Sequence, residues 1–368
     1  MDLGAHQMKL ELKKKKDHLL QYLGIPGLLR FISISPRTVE FRVTDNCNSR
    51  CIMCNAWKNK SRNELSTDEI EDVLYQLKKF GVNSLILLGG EPLLRQDIGV
   101  IIEKASALKF KTILLVTNGL LLEEKAEELL KSGVTHITVS IDGIDGTHDS
   151  IRGIKGCFDK AIKGVKAIQK LKENVNPKVI VTLITTLLMK QNIDEIPQLI
   201  ELSRNLHVYW DFNLLDSNLD LFKGIPYSDI LVDDKEKIDK TINFLINIQK
   251  ESPGLISSCR HALEYARRYL KREDLSNYHC VHGYEILHIG SHGDVYSCWI
   301  MEPLGNLRKA KLRDIVGTKE HRKLAERIYM RHCPGCTNLC AYNIVTKHLI
   351  FHWAHCEKRK RRFRMSLY

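Results

Sequence analysis

Residues 47–57 read CNSRCIMCNAW, and the three thiols in this stretch govern how the rest of the chain is read. Cys47, Cys51 and Cys54 are spaced Cys-x3-Cys-x2-Cys. A closed tetrahedral metal site needs a fourth donor. Three donors leave a coordination position open, as catalytic centres do and structural ones do not. Three thiolates suit an iron–sulfur cluster in which one iron has no protein ligand and can take a small molecule. A zinc site completed by a distant histidine is the alternative for the same residues.

Working outward, RTVEFRV (37–43) is rich in β-formers and ends just before Cys47. STDEIEDVLYQLKKFG (66–81) has Ser66 and Glu69 as a capping box. It also has an apolar face of Ile70, Val73, Leu74 and Leu77, and Gly81 as its stop. The apolar runs at 84–88, 112–116, 136–141 and 178–185, and the segment 207–215, read as further strands. Helical patterns at 97–109, 123–133, 158–173 and 193–205 separate them. Six β-then-α units in a row predict a parallel sheet with helical crossovers. Six units fall short of the eight of a closed barrel, so the expected fold is α/β, a partial (β/α)6 barrel. GGEP (89–92), TNG (117–119) and DG (142–143) then follow strands two, three and four. The three-thiol loop follows strand one, so all four lie on the rim where such sheets carry their chemistry.

After residue 216 the alternation stops. Segments 236–251 and 256–272 are helical, and a region rich in Cys and His follows. The expected organisation is a basic helical extension (1–36), the partial barrel (37–216), a helical linker (217–275) and a Cys-rich domain with a basic tail (276–368). No apolar run reaches the roughly 18 residues of a membrane span, and the N-terminus has no apolar signal core. A cytoplasmic location is expected. In a reducing compartment eleven cysteines are expected to hold metal or do chemistry rather than form a disulfide framework. Cys157 and Cys259 stand apart from the clusters and read as packing thiols, Cys259 alternatively as a hydrogen donor. The net charge of +12 sits largely in 9–16 and 357–364. It reads as solvated tails or as contact with an acidic partner. Neither tail interleaves aromatics, which argues against nucleic-acid binding.

The motifs together resemble the radical S-adenosylmethionine (SAM) superfamily over roughly residues 37–215. CNSRCIMC matches the CxxxCxxC signature, GGEPLL the GGE motif, and TNG and SIDG stand where the other SAM-binding loops lie. The resemblance implies a [4Fe–4S] cluster on Cys47, Cys51 and Cys54, with SAM chelating the fourth iron. It also implies reductive cleavage of SAM to a 5′-deoxyadenosyl radical that removes a hydrogen atom from substrate. Gly89 and Gly90 are expected to let backbone approach the ligand, and Glu91 to accept hydrogen bonds from its ammonium group. Asn118 could hold ribose or its own backbone. Ser140 and Arg152 resemble the pair that contacts the SAM carboxylate, for which Arg offers a two-pronged fork. Asn192 reads as a helix N-cap. The family often has an aromatic directly after the third Cys. Asn55 stands there instead, and Trp57 is the nearest aromatic for the adenine.

Cys280, Cys298, Cys333, Cys336, Cys340 and Cys356 resemble the SPASM/twitch extension that carries auxiliary iron–sulfur clusters. The full pattern uses seven cysteines and six are present. One auxiliary cluster is therefore expected, on Cys280, Cys298, Cys333 and Cys336. A second would need a non-Cys ligand or an open iron. Zinc is the alternative here, with CPGC as a knuckle and His332, His348, His352 and His355 nearby. The leading substrate reading is a peptide or protein side chain, because this extension is common among peptide-modifying members. Against sulfatase-type maturation, Trp299 occupies the position of that branch's catalytic Asp. A small metabolite, phosphorylated or nucleotide-linked, is the second reading; a zinc-stabilised nucleic-acid binder is a third of another class. A flavodoxin or ferredoxin is the expected reductant. Anaerobically purified protein should be brown, with about eight iron atoms per chain for two clusters or about twelve for three. Colourless protein with stoichiometric zinc, measured by elemental analysis, would instead favour the binder.

Overall fold

The computed structural model describes residues 34–58, 61–177, 179, 182–215, 224–275, 280 and 282–333. Most of the expected N-terminal extension, together with Cys336, Cys340, Cys356 and the basic tail, lies outside them. Among the described residues no helix is long and apolar enough to cross a membrane.

Each strand–helix unit forms for a local reason. Strand β1 (Thr38–Thr44) alternates: Val39, Phe41 and Val43 are buried in the main core, while Glu40 and Arg42 point to the opposite face. Helix α1 (Thr67–Phe80) starts on the expected capping box. The Glu69 N–H donates to Ser66 Oγ at 3.2 Å and the Ser66 N–H to Glu69 Oε2 at 2.8 Å. It ends on Gly81, whose φ of +99° is open to glycine at little cost. Then follow β2 (Ser84–Gly89), α2 (Ile98–Ala107), β3 (Thr112–Thr117), α3 (Leu122–Ser132) and β4 (His136–Ser140). A helix not anticipated from the sequence, α4 (Asp145–Arg152), comes next. It is a polar segment of eight residues with only His148 and Ile151 buried, so no apolar stripe announces it. Helix α5 (Cys157–Val175), β5 (Thr182–Leu188), α6 (Ile196–Asn205) and β6 (Tyr209–Leu214) complete the series. Pro197 is the second residue of α6, where its missing N–H breaks no bond. The segment 193–195 before it is a 3-10 turn rather than α-helix.

Strands β1 to β6 are all parallel and lie in sequence order. The α/β class and the (β/α)6 order are those read from the sequence. The sheet is larger than six strands, however. After helices α7 (Lys235–Glu251) and α8 (Arg260–Leu270), strand β7 (Ile286–Ile289) pairs parallel with β1. Strands β8 (Asp294–Tyr296) and β9 (Gly305–Asn306) extend it antiparallel. The full order is β6-β5-β4-β3-β2-β1-β7-β8-β9. The C-terminal region therefore continues the same sheet from the free edge of β1. Its short helix α9 (Leu312–Ile315) precedes α10 (Lys319–Tyr329). Arg308 fixes this region to the start of α1 through Glu69, at 2.6 and 2.8 Å, and through the Asn63 and Glu64 carbonyls.

At the far edge, Trp210 of β6 is fully buried. Its Nε1–H donates to Thr186 Oγ1 at 3.0 Å, and the Thr186 hydroxyl donates to the Ile141 carbonyl at 2.7 Å. One side chain thus ties β6 to β5 and the end of β4. Trp210→Ala should cost about 3–5 kcal/mol of stability, read as a lowered midpoint in equilibrium denaturant unfolding.

Candidate active site at the carboxyl ends of the strands

The loop after β1 is set before the thiols begin. Glu64 Oε1 accepts from the Asp45 N–H at 2.7 Å and from Thr44 Oγ1 at 3.1 Å. Arg95 donates through Nη1 to the carbonyls of Val43 and Leu65, and its Nε and Nη2 grip Asp97 at 2.8 and 2.6 Å. Within the loop, Cys47 Sγ accepts from the Ser49 N–H and Cys54 Sγ from the Ala56 N–H, both at 3.4 Å.

The GGE loop is welded to this one. The Gly90 N–H donates to the Thr44 carbonyl and the Glu91 N–H to the Asn46 carbonyl, each at 2.8 Å. A Cβ on Gly89 would lie 2.3 Å from the Thr44 carbonyl oxygen, and one on Gly90 would lie 2.2 Å from that of Asn46. A close approach that demands glycine is therefore present between two loops of the protein. Glu91 is turned inward at the same place. Its side chain is buried and accepts from Thr117 Oγ1 at 2.7 Å, the Leu93 N–H at 3.1 Å and the Asn118 N–H at 2.7 Å. It holds the TNG loop. Burial pushes its carboxyl up, against the pull of these donors. Asn118 in turn donates from Nδ2 to Asn48 Oδ1 at 2.8 Å and to Ser49 Oγ at 3.0 Å, inside the cysteine loop, while its Oδ1 caps the Leu120 N–H.

The fourth side is the α4 corner. The N–H groups of Arg50 and Ile52 donate to the carbonyls of Arg152 and Ile151 at 3.0 and 2.9 Å. Gly153, at φ +68°, comes so close that a Cβ would meet the Arg50 carbonyl at 2.4 Å. The Arg152 guanidinium pairs with the fully buried Asp142 at 2.5 Å and donates to Cys51 Sγ at 3.8 Å. Its Nε is buried with no partner among the described residues. Ser140, the last residue of β4, pairs in register with Thr185. Asn192 is fully buried and makes no cap. It donates to the Asp142 and Leu187 carbonyls at 2.6 and 2.7 Å and accepts from the Met189 N–H at 2.9 Å, lacing the ends of β4 and β5 together. Trp57 sits in a 3-10 turn and is 37% exposed, with Lys58 Nζ 5.4 Å from its ring.

All three thiols are held back from ionising. Burial, then the nearby Cys51, Glu91 and Cys54, push Cys47 up to about 11, against the Ser49 N–H. Burial likewise raises Cys51, against the Arg152 charge, and Cys54, against the Ala56 N–H. These are three close, mutually repelling sulfur donors with one cation, Arg152, in contact. Such a set fits an iron centre, whose positive charge would replace the thiol protons. Arg152 Nε is a spare donor suited to an anionic ligand beside it.

In the C-terminal region Cys280, Cys298 and Cys333 line one apolar cluster with Met301 and Ile328. This brings together the three expected auxiliary ligands that are described. Two histidines that the sequence reading did not single out stand beside them. His282, His288 and Cys298 present ligand atoms all within 4.8 Å of one another. Trp299 donates from Nε1 to Glu40 Oε2 at 2.9 Å and lies 4.3 Å below the Arg42 guanidinium. Although burial would raise Glu40, its pairing with His288 and the hydrogen bonds from His288 and Trp299 bring it down to about 2. Cys157 is a buried thiol hydrogen-bonded to Asp149, as its packing role leads one to expect. Cys259 is the N-cap residue of α8.

Comparison with known proteins agrees with this geometry. The profile of the radical SAM superfamily matches residues 41–203, and that of the SPASM iron-sulfur cluster-binding domain matches residues 280–337. The AdoMet-dependent heme synthase of Methanosarcina barkeri is 29% identical over 331 residues, covering 84% of this chain and 90% of that protein. A probable GTP 3′,8-cyclase of Methanocaldococcus jannaschii is 31% identical over 220 residues, covering 58% of this chain and 72% of that one. The crystal structure of Streptococcus suis SuiB bound to precursor peptide SuiA superposes with a TM-score of 0.65 at 20% identity. It covers 87% of this chain and 74% of SuiB, a likeness of fold.

Gly90→Ala should separate the GGE loop from the cysteine loop. The expected result is less than half the wild-type iron per chain after anaerobic reconstitution, measured by colorimetric iron assay, with far-UV circular dichroism retained. Because the thiols must lose protons to bind iron, wild-type reconstitution should also be faster at pH 9 than at pH 7.

Proposed function

As this chain belongs to the radical SAM superfamily and carries a SPASM-type iron–sulfur region, we propose that it uses SAM to abstract hydrogen from a small anionic metabolite. The observation that carries the reading is the three-thiol loop clamped by the GGE, TNG and α4 segments, with Arg152 Nε spare beside it. Cys47, Cys51 and Cys54 would hold a [4Fe–4S] cluster. Gly89, Gly90, Glu91, Asn118, Ser140 and Arg152 would line the SAM site, with Trp57 at the adenine. Cys280, Cys298 and Cys333, with Cys336, Cys340 and Cys356, would supply the auxiliary ligands. When bound, the first cluster supplies one electron for cleavage of the sulfonium.

The chain's own residues do the rest. The Asp142–Arg152 pair, buried together, keeps the guanidinium fixed. Its spare Nε would donate to a carboxylate next to Cys51. Glu91, through the Asn118 N–H, keeps the TNG loop seated on the cysteine loop, so the site is preformed rather than assembled by ligand. The apolar cluster of Met53, Ile151, Met189, Leu215 and Ile230 shields Cys51 from water, which protects reactive species from quenching.

The substrate class follows two of the relatives. Those named heme synthase and GTP 3′,8-cyclase act, by their names, on small molecules, and the net charge of +12 suits anionic ones. The peptide reading favoured from the sequence draws on the SPASM extension and is the competing arm. We also place the protein in the cytoplasm, served by a flavodoxin or ferredoxin.

The test is anaerobic turnover with dithionite, with 5′-deoxyadenosine measured by liquid chromatography. Cys51→Ala should abolish its formation; retained product in that variant removes the assignment. An iron porphyrin bearing propionates, or GTP, should raise wild-type deoxyadenosine yield and be consumed. Stimulation by a peptide mixture alone would reverse the substrate reading.

A further inference from the structure

The register of β1 against β7 brings four side chains into one line. Glu40 and His288 are partners across the parallel pair. His288 Nδ1 lies 3.1 Å from Glu40 Oε2, which also accepts from Trp299 Nε1. His282 Nδ1 lies 3.1 Å from His288 Nε2, and the two rings stack 5.2 Å apart at 20°. His282 is also hydrogen-bonded to Cys298. His282 is 5% exposed, His288 1% and Cys298 9%.

The tautomer logic of this line points one way. Trp299 can only donate, so Glu40 Oε2 is an acceptor and His288 Nδ1 must carry its proton. Neutral His288 then has its lone pair on Nε2, facing His282 and Cys298. A carboxylate holding one ring nitrogen so that the other is presented as a lone pair is the outer support seen behind metal-bound histidines. The spacing fits as well. Two nitrogens on one tetrahedral ion at about 2.0–2.1 Å lie roughly 3.3 Å apart, close to the 3.1 Å found here. Two stacked imidazoles and a thiol, nearly excluded from water, thus converge their ligand atoms to within 4.8 Å of one another.

We infer that His282, His288 and Cys298 bind one metal ion, with Glu40 as the residue positioning His288, so that nitrogen as well as sulfur ligates metal at the β1–β7 seam. Cys298 is shared with the auxiliary ligand set, so an iron of that centre is one source of the ion; a separate zinc is the other. The chemistry at Cys47, Cys51 and Cys54 is not needed for either.

The experiment uses the full chain with Cys47, Cys51 and Cys54 all changed to Ala, so that loss of the first cluster cannot be confused with loss of this site. The protein is labelled with 15N-histidine, reconstituted with iron and sulfide, reduced, and examined by pulsed EPR. Metal content is measured in parallel, and cobalt(II) is offered to protein from which zinc has been removed. A directly bound 15N coupling identifies iron. One zinc per chain, replaceable by cobalt with a thiolate-to-cobalt absorption band, identifies zinc. Either signal should vanish in His282→Ala and His288→Ala, and Glu40→Gln should weaken cobalt affinity by about 10- to 100-fold if zinc is the ion. Absence of both signals in the labelled triple variant overturns the inference, whether or not the histidine variants fold. So does persistence of either signal in folded His282→Ala/His288→Ala protein.

Discussion

The Glu91 carboxylate is buried among three donors, and the rim of the sheet depends on it. Its two oxygens hold the Leu93 and Asn118 N–H groups and the Thr117 hydroxyl. The backbone on either side of it is bonded to the β1 loop. Asn118, held in this way, reaches Asn48 and Ser49 between the first two thiols. The loops after strands one, two and three are thereby one hydrogen-bonded unit. A buried carboxylate is costly unless its lone pairs are used; here that cost stands behind the placement of the sulfurs. The α4 corner closes the unit from the other side, where Arg152, paired with Asp142, reaches Cys51.

A second dependence runs through β1. It is not an edge strand, because β2 lies on one side and β7 on the other. Its buried residues Val39, Phe41 and Val43 belong to the main core. Its opposite face carries Glu40 and Arg42 to Trp299 and His288. Trp299 thus serves an architectural end at the place where a related branch has a reacting acid. The C-terminal region gains its position from this pairing and from Arg308 on Glu69, so both metal-bearing regions share one backbone ladder.

Much of this was legible in the sequence. The period of apolar residues, the Ser66–Glu69 box and Gly81 placed α1, and the alternation of strands and helices gave the parallel order. The residues of the rim were legible as a set, because spacing after a strand is a local property. Their roles were less so. That Gly89 and Gly90 face Thr44 and Asn46, or that Asn192 laces two strands instead of capping a helix, depends on contacts between segments distant in sequence. Helix α4 lacked an apolar stripe, so periodicity could not reveal it. His282 and His288 were overlooked because their signal is register: only the pairing of β7 with β1 sets His288 opposite Glu40. Had β7 been recognised as a seventh parallel strand, the alternation of residues across the pair would have pointed to it.

The shared strand also works as a ruler. Glu40 and Cys47 are seven residues apart, and an extended chain advances about 3.3 Å per residue. The backbone separation between the two metal-binding regions along β1 is thus capped at roughly 23 Å, however substrates differ in size. Pairing with β2 and β7 on its two sides holds the Glu40 end of that span in the middle of the sheet.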